Sequence, residues 1–542
     1  MLSFKNYFLG GGNEKQWTEL IHNGPFFPNK YIPHKIPIII SNKEIILNSL
    51  AEEYATMYTK LLDTKYIELP SFKKNFWKDF KLTIPDLKIN NLDDIDFNLI
   101  KKYLDIEKNK KNTLSTEEKE KIKKKQLDLE EPYMYCIIDG TQQKVGNYKI
   151  EPPGIFLGRG SHPKIGRIKK RINPEDIILN LSKNSIIPKP NVEGQWGSVI
   201  HDTHVIWLAS WKDNITGKTK YIFTSLESFF KAKSDEDKFN LAKKLKKKIT
   251  NIRDTYHNEL NNPDIKKKQL ATALYFIDHL ALRVGGKKDS KEEADTVGVT
   301  SLRVEHIQLL ESNNIKLDFL GKDSVRYCKR IQVLPQIYSN LKEFMINKTK
   351  KNDIFDMITA SSLNEYLDSF FPGLTAKVWR TFNASNIFQK ELDKLTTNKK
   401  LEEFKEKEER LIFLLTIFNQ ANTEVALLCN HQKAVNTNLD KNIDKINNQL
   451  KELKKKRDKY KLNKNTENFN KITKKIKLIK LKKENKLKMK NVSLTTSKNN
   501  YIDPRIIFAF IKKYEIPSEK LFTQKLLTRF KWASLVNSDY KF

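Results

Sequence analysis

The chain has 542 residues, 39% of them hydrophobic, and carries 100 Lys and Arg against 66 Asp and Glu, a net charge of +34. This length and apolar content support several cores, about two to four domains, and exclude a small stapled scaffold. Cys136, Cys328 and Cys429 are far apart and form no CxxC pair, which argues against a disulfide framework or a zinc module and fits a reducing, intracellular setting. The basic excess calls for a polyanionic partner, with nucleic acid ahead of a membrane surface. No apolar run approaches about 18 residues, and no signal-peptide or lipidation pattern is seen, so a soluble protein is expected. Part of the Lys and Asn richness reads as AT-biased coding, so charge alone implies binding to polyanions without specifying which.

In chain order, residues 13 to about 115 mix short β-like runs such as Pro37–Ile40 with amphipathic stretches such as Ala51–Leu62, an α+β pattern. Residues 101–130 read as one charged helix with few apolar positions, a solvated connector. From Pro132 to about Thr224, short apolar runs (Met134–Ile138, Ile177–Leu179, Val205–Leu208, Tyr221–Phe223) alternate with Gly, Pro and Asn turns and predict a β-rich unit. Within it lies the Gly-rich stretch Glu151–Lys164. Its spacing is not GxxxxGK[ST], so it is no Walker loop. It reads either as a loop that lets backbone approach DNA while Arg159, His162 and Lys164 donate to phosphates, or as a plain tight turn.

From about Ser228 to Asn436 the pattern is mainly helical. Leu270–Arg283 is too apolar for a surface helix and predicts burial, which leaves Arg283 at its end as either a functional group or one half of a structural ion pair. Val299–Val304 and Ile315–Phe319 read as strands. Lys322 falls in the turn Gly321-Lys322-Asp323-Ser324, where a hairpin would present it as a movable point charge suited to proton donation or to probing a groove, or simply as a solvated turn lysine.

In residues 451–490, 18 basic residues face four acidic ones, +14, yet Leu439, Ile443, Ile446, Leu450 and Leu453, then Phe469, Ile472, Ile476 and Ile479, step by threes and fours. This predicts an antiparallel helical hairpin with a coiled-coil seam around a turn at 462–468, the alternative being a Lys-rich tether. Beyond it comes Thr496-Ser497-Lys498-Asn499-Asn500-Tyr501-Ile502-Asp503-Pro504-Arg505. Taken with Leu282–Gly285, Phe319–Ser324, Lys377–Thr381 and Cys429–Lys433, each bearing a cationic or imidazole group, Tyr501 completes a phosphate-handling set with one nucleophile.

These motifs carry a resemblance over nearly the whole chain. Glu151–Gly154, Arg167–Pro174, Ala273–Asp278, Ala294–Gly298, Phe319–Ser324, Leu374–Val378, Cys429–Gln432 and Asp503–Arg505 resemble, in the same order, blocks of the eukaryotic-type type IB DNA topoisomerases. The resemblance implies an α+β multidomain fold: a bilobed DNA clamp with a mixed α/β N-terminal lobe, a mainly helical catalytic domain of the tyrosine recombinase/type IB topoisomerase type, an antiparallel coiled-coil linker and a small helical C-terminal domain. The expected divisions are an N-terminal segment 1–27, a cap subdomain 28–115, a β-rich DNA-binding subdomain 116–229, the catalytic core 230–436, the linker 437–491 and the tyrosine domain 492–542.

The resemblance also implies a catalytic set of Tyr501, Arg283, Lys322, Arg380 and His431. In the family the tyrosine attacks a DNA phosphodiester to give a 3′-phosphotyrosyl bond, the free end swivels, and the 5′-hydroxyl reverses the step without cofactor, ATP or metal. Arg283, Arg380 and His431 would stabilise the phosphorane, and Lys322 would protonate the leaving 5′-oxygen. Asn500, Asp323 and Arg159 stand where contacts around the cleavage site are implied. Leu157 stands where relatives often carry arginine, and Gly286 where Asn is common. Matching sequence begins near Trp17, without the long charged N-terminal region that many members carry. The implied partner is duplex DNA, preferably supercoiled, with no membrane, bound by a monomer. Nuclear location is an expectation, with Lys164–Arg171 as a candidate import signal. A tyrosine site-specific recombinase shares the catalytic logic, and a non-enzymatic basic DNA-binding protein would share the charge.

Overall fold

A computed structural model describes residues 15–396, 401–404, 406–433 and 438–542. The first 14 residues of the expected N-terminal segment and the expected boundary at 436/437 lie outside them. The chain divides into two units, residues 1–231 with 288–295, and residues 232–287 with 296–542.

Among the described residues, two apolar cores belong to the first unit. In one, the three-stranded sheet of Lys43–Ile45, Ile38–Ile40 and Ile95–Asp96 packs with helices Ser49–Thr59 and Pro70–Phe80. Phe72, Phe76 and Phe80 recur every fourth residue of the second helix, so all three point inward, and the Phe76 ring stacks on Tyr58 at 4.5 Å. The other core lies between an antiparallel sheet (Leu20–His22, Tyr135–Ile138, Thr141–Lys144) and a four-stranded sheet ordered Ser198–Ile200, Ile178–Asn180, Ala209–Lys212, Thr219–Ile222.

Two expectations are corrected in this unit. Residues 101–130 are not one helix: Asn98–Thr113 and Thr116–Glu130 are separated at Leu114. The break is a capping box in which Ser115 Oγ accepts from the Glu118 N–H (3.1 Å) and the Glu118 carboxylate accepts from the Ser115 N–H (2.8 Å). The apolar run Val205–Leu208 meets the sheet only at its last residue, where Leu208 N–H donates to the Ile222 carbonyl and its own carbonyl accepts from Asn180 N–H (both 2.8 Å); the strand itself is Ala209–Lys212. In the stretch Lys164–Arg171 most basic side chains have acidic or carbonyl partners. Lys164 donates to the Ile215 carbonyl, and Arg167, Lys169 and Arg171 pair with Asp79, Glu151 and Glu53.

The second unit is mainly helical. Helix Ile265–Leu280 is buried along ten consecutive residues, Gln269–Asp278, as its apolar sequence requires, and ends at Ala281 in the left-handed region (φ +49°). Helix Lys407–Leu428 is long and apolar enough by composition to cross a membrane, yet Phe413, Leu414, Ile417, Phe418, Ala421 and Val425 are packed in the protein core. Strands Ile307–Leu310, Asn314–Leu320 and Arg326–Gln332 form an antiparallel sheet, with Phe319 opposite Tyr327.

Val299–Val304 is not a strand. Val299–Ser301 and Val304–His306 are single 3₁₀ turns, because the N–H groups of Val299 and Thr300 donate to the carbonyls of Arg283 and Val284 (2.9 and 2.8 Å) rather than to a sheet neighbour. Helices Leu439–Leu462 and Thr466–Lys488 pack through Ile446, Leu450, Leu453, Ile472, Ile476 and Ile479, all of them among the apolar positions that stepped by threes and fours.

Candidate active site in the helical unit

Four segments far apart in sequence line one cleft, and three of them also reach a buried tyrosine. Arg283 follows the buried helix Ile265–Leu280, and its backbone is pinned by a glycine contact. Gly285 has φ +84°, and a Cβ on it would lie 2.7 Å from Gly298 Cα, so only two glycines allow these stretches of backbone to touch. Val297 N–H donates to the Leu320 carbonyl (2.8 Å), which links the same contact to the hairpin bearing Lys322. That hairpin turns at Lys322–Ser324, with Asp323 at φ +65°, and leaves Lys322 and Asp323 exposed at its tip.

Arg380 lies in helix Ala376–Leu395, one residue beyond Trp379, whose indole N–H donates to Asp278 Oδ1 (3.1 Å). Asp278 is buried but fully occupied: Arg253 donates to it through Nε and Nη2 (2.8 and 2.9 Å), and the Tyr256 hydroxyl donates as well (2.8 Å). This network sets the rotation of the helix that presents Arg380. His431 follows Asn430, which has φ +54°; its N–H donates to the Ala426 carbonyl, and its carbonyl accepts from Ser493 N–H (both 2.8 Å).

Tyr501 ends helix Leu494–Asn500. Its N–H donates to the Ser497 carbonyl (2.9 Å), its carbonyl accepts from Ser385 Oγ (3.2 Å), and the preceding Asn500 carbonyl accepts from Lys238 Nζ (3.0 Å). Lys238 in turn pairs with Asp235, which also takes Arg529 Nε at 2.7 Å, so a buried ionic group holds the peptide beside the tyrosine.

Arg283, Lys322, Asp323, Arg380 and His431 line one cleft of about 140 Å³, together with Tyr327, Cys429 and Thr496. The Tyr501 ring, only 7% exposed, lies against two of these residues: stacked on the His431 imidazole at 5.4 Å between centroids, and under the Arg380 guanidinium at 5.1 Å. Burial alone would raise the phenol's pKa, but the charges of Arg380 and Arg283, with a hydrogen bond from Arg283, outweigh it and bring the pKa below its ordinary value. His431 is pulled down to about 3 by burial and by the same two guanidiniums, so it is neutral at physiological pH. Its Nδ1 is 2.7 Å from Ser497 Oγ, while Nε2 is buried without a partner. Two guanidiniums and a neutral imidazole thus lie against an acidified phenol, and the exposed Lys322 lines the adjoining cleft, an arrangement suited to anionic chemistry at phosphorus.

The remaining candidates fall elsewhere. Asn500 is exposed, next to Tyr501, with its side-chain amide donating to the Thr496 carbonyl (3.2 Å). Arg159, His162 and Lys164 belong to the first unit. There Gly158 (φ +58°) folds the loop so closely onto His162 that a Cβ would lie 2.8 Å from His162 Cβ, and the imidazole packs edge-on against Phe156. Arg159 is exposed at the loop tip, whereas Lys164 is committed to the Ile215 carbonyl and Glu292. Sequence reading passed over Ser497, Gly298, Tyr327 and Lys238. The signal for Ser497 was its place four residues before Tyr501, one helical turn.

Residues 227–466 match the family model "Eukaryotic DNA topoisomerase I, catalytic core", residues 15–224 its "DNA binding fragment", and residues 473–542 the "C-terminal topoisomerase domain". The chain is 40% identical to DNA topoisomerase 1 alpha of Arabidopsis thaliana, an alignment covering 100% of this chain and 61% of that protein. It is 40% identical to DNA topoisomerase 1 of Caenorhabditis elegans (97% and 67%) and 37% identical to the mitochondrial DNA topoisomerase I of Homo sapiens (97% and 92%). It therefore spans under two thirds of the plant relative's length and nearly all of the human mitochondrial one's. With the matches running in order from residue 15 to residue 542, the chain belongs to the eukaryotic DNA topoisomerase I family.

Proposed function

We propose that this protein relaxes positively and negatively supercoiled duplex DNA by transient cleavage of one strand. The observation that carries the reading is the buried Tyr501 phenol, acidified by Arg283 and Arg380 and stacked on a neutral His431. Tyr501 Oη attacks the scissile phosphorus as its O–H proton leaves to water. The P–O5′ bond breaks, and the 5′-oxygen takes a proton from Lys322. The product is a 3′-phosphotyrosyl bond and a free 5′-hydroxyl, and religation runs the same steps backwards.

A phenol with an ordinary pKa of about 10 is a poor nucleophile at neutral pH, and the two guanidiniums address both halves of that problem. They favour the phenolate before attack, and their N–H groups meet the charge on the nonbridging oxygens during it. Neutral His431 adds a donor without adding a third fixed charge. Because the ester's energy is retained in the phosphotyrosine, the cycle calls for neither ATP nor metal.

Duplex DNA is the partner, held by a monomer. The net charge of +34 and the family's DNA-binding region support it, with Arg159, His162, Lys164, Asp323 and Asn500 proposed at the DNA. The domain divisions given above, with helices Leu439–Leu462 and Thr466–Lys488 as the coiled-coil linker ahead of the tyrosine domain, belong to the same proposal. We place the activity in the nucleus, although relatives include proteins named mitochondrial.

The test is relaxation of plasmids of both supercoil signs, without ATP and with EDTA, by wild type and Tyr501→Phe. Wild type should relax both and leave a 3′-linked adduct on denaturation, and Tyr501→Phe should bind DNA without relaxing it. Equal activity of the two proteins would refute the assignment.

A further inference from the structure

We propose that Ser497 is the positioning residue that fixes which nitrogen of His431 carries its proton, and that it couples this donor to the nucleophile. The inference rests on the reading of Tyr501 and His431 given above.

Ser497 is fully buried, and its hydroxyl has one hydrogen-bond partner among the described residues, His431 Nδ1 at 2.7 Å. A buried hydroxyl hydrogen without an acceptor is costly, and Nδ1 can accept it only when that nitrogen is bare. The proton of a neutral imidazole then sits on Nε2. That atom is buried and unpartnered, on a ring that lines the cleft with Arg283 and Arg380. The opposite tautomer would spend the imidazole N–H on Ser497, strand the serine hydrogen, and leave Nε2 as a lone pair facing an anionic phosphoryl oxygen.

The same residue reaches Tyr501 through its backbone. The Ser497 carbonyl accepts from both Tyr501 N–H (2.9 Å) and Ile502 N–H (3.0 Å). One residue therefore orients the donor with its side chain and the nucleophile's peptide with its main chain. A shift of helix Leu494–Asn500 would disturb both together.

The test reads the tautomer directly. The full chain is labelled with ¹⁵N-histidine, and His431 is assigned by its loss in His431→Gln. Long-range ¹H–¹⁵N spectra without DNA at pH 7 should then give a bare Nδ1 and a protonated Nε2. In Ser497→Ala this preference should collapse, and single-turnover cleavage should slow about five- to tenfold at unchanged DNA affinity, the size of one lost hydrogen bond. Ser497→Thr, which keeps the hydroxyl, should restore both.

A protonated Nδ1 in wild type would overturn the inference whatever the variants do. So would a Ser497→Ala protein that keeps the wild-type tautomer and rate. Failure of wild type to relax DNA would instead overturn the proposed function, and the spectra would still report the tautomer.

Discussion

Replacing Arg380 by Gln isolates the electrostatic part of the proposed chemistry. The side chain keeps an amide that can donate to the Cys429 carbonyl, as Arg380 Nη2 does at 3.4 Å, but loses its charge. With the guanidinium 5.1 Å from the Tyr501 ring and an effective dielectric of about 20, the lost attraction for the phenolate is roughly 3 kcal/mol. At about 1.4 kcal/mol per decade, that is on the order of a hundredfold less phenolate at neutral pH. The sign follows from burial: with one guanidinium gone, desolvation pushes the phenol's pKa up, and the ionised fraction at pH 7 falls. Single-turnover cleavage measured from about pH 6.5 to 10 should therefore rise about tenfold per pH unit in the variant, well past the point where wild type levels off. Arg380→Lys retains the charge and should recover the wild-type pH profile while staying slower, because an ammonium cannot hold two phosphoryl oxygens in a planar fork. If the rate of Arg380→Gln is lower by one constant factor at every pH, the argument is refuted, since Arg380 would then act on the phosphoryl oxygens alone.

Lys322→Ala should abolish most cleavage of an ordinary phosphodiester but cleave a 5′-bridging phosphorothiolate close to the wild-type rate, because a thiolate leaves without being protonated; equal impairment on both substrates would remove Lys322 from the role of acid. His22, 6% exposed, and His431, 7% exposed, are held down to about 4 and about 3 from an ordinary 6.5. The unfolded chain thus binds more protons, and the stability these residues contribute is present above pH 6.5 and lost as pH falls through the window toward 4. The loss should be about 2 kcal/mol for each at about pH 5, so urea midpoints measured between about pH 7 and 5 should fall less steeply in His22→Gln and in His431→Gln than in wild type.

Much of the candidate site was legible without a structure because its chemistry is concentrated in short motifs. Arg283, Lys322, Arg380, His431 and Tyr501 each sit in a run whose residue types suit phosphate handling, and the family resemblance implies them as a set; the first four line one cleft, and Tyr501 packs against His431 and Arg380. Local periodicity was equally informative where a single repeat governs packing. The three-and-four spacing from Ile446 to Leu453 and from Ile472 to Ile479 marks the contact between two helices, because side chains on one helical face need only that spacing to meet.

Apolar content was a poorer guide wherever backbone hydrogen bonds had another destination. Val299–Val304 has a strand's composition, but the Gly285–Gly298 contact sends its N–H groups to Arg283 and Val284. The acid–base state of the site was beyond sequence altogether. Tyr501 is acidified and His431 neutral because Arg283 and Arg380 lie beside them in a water-poor pocket, and the His431 proton is assigned by a serine 66 residues away. Residue identity and short-range spacing are written along the chain. Charge separation, desolvation and the hydrogen-bond partner of a buried imidazole exist only once distant segments are brought within a few ångströms, and those are what decide the chemistry here.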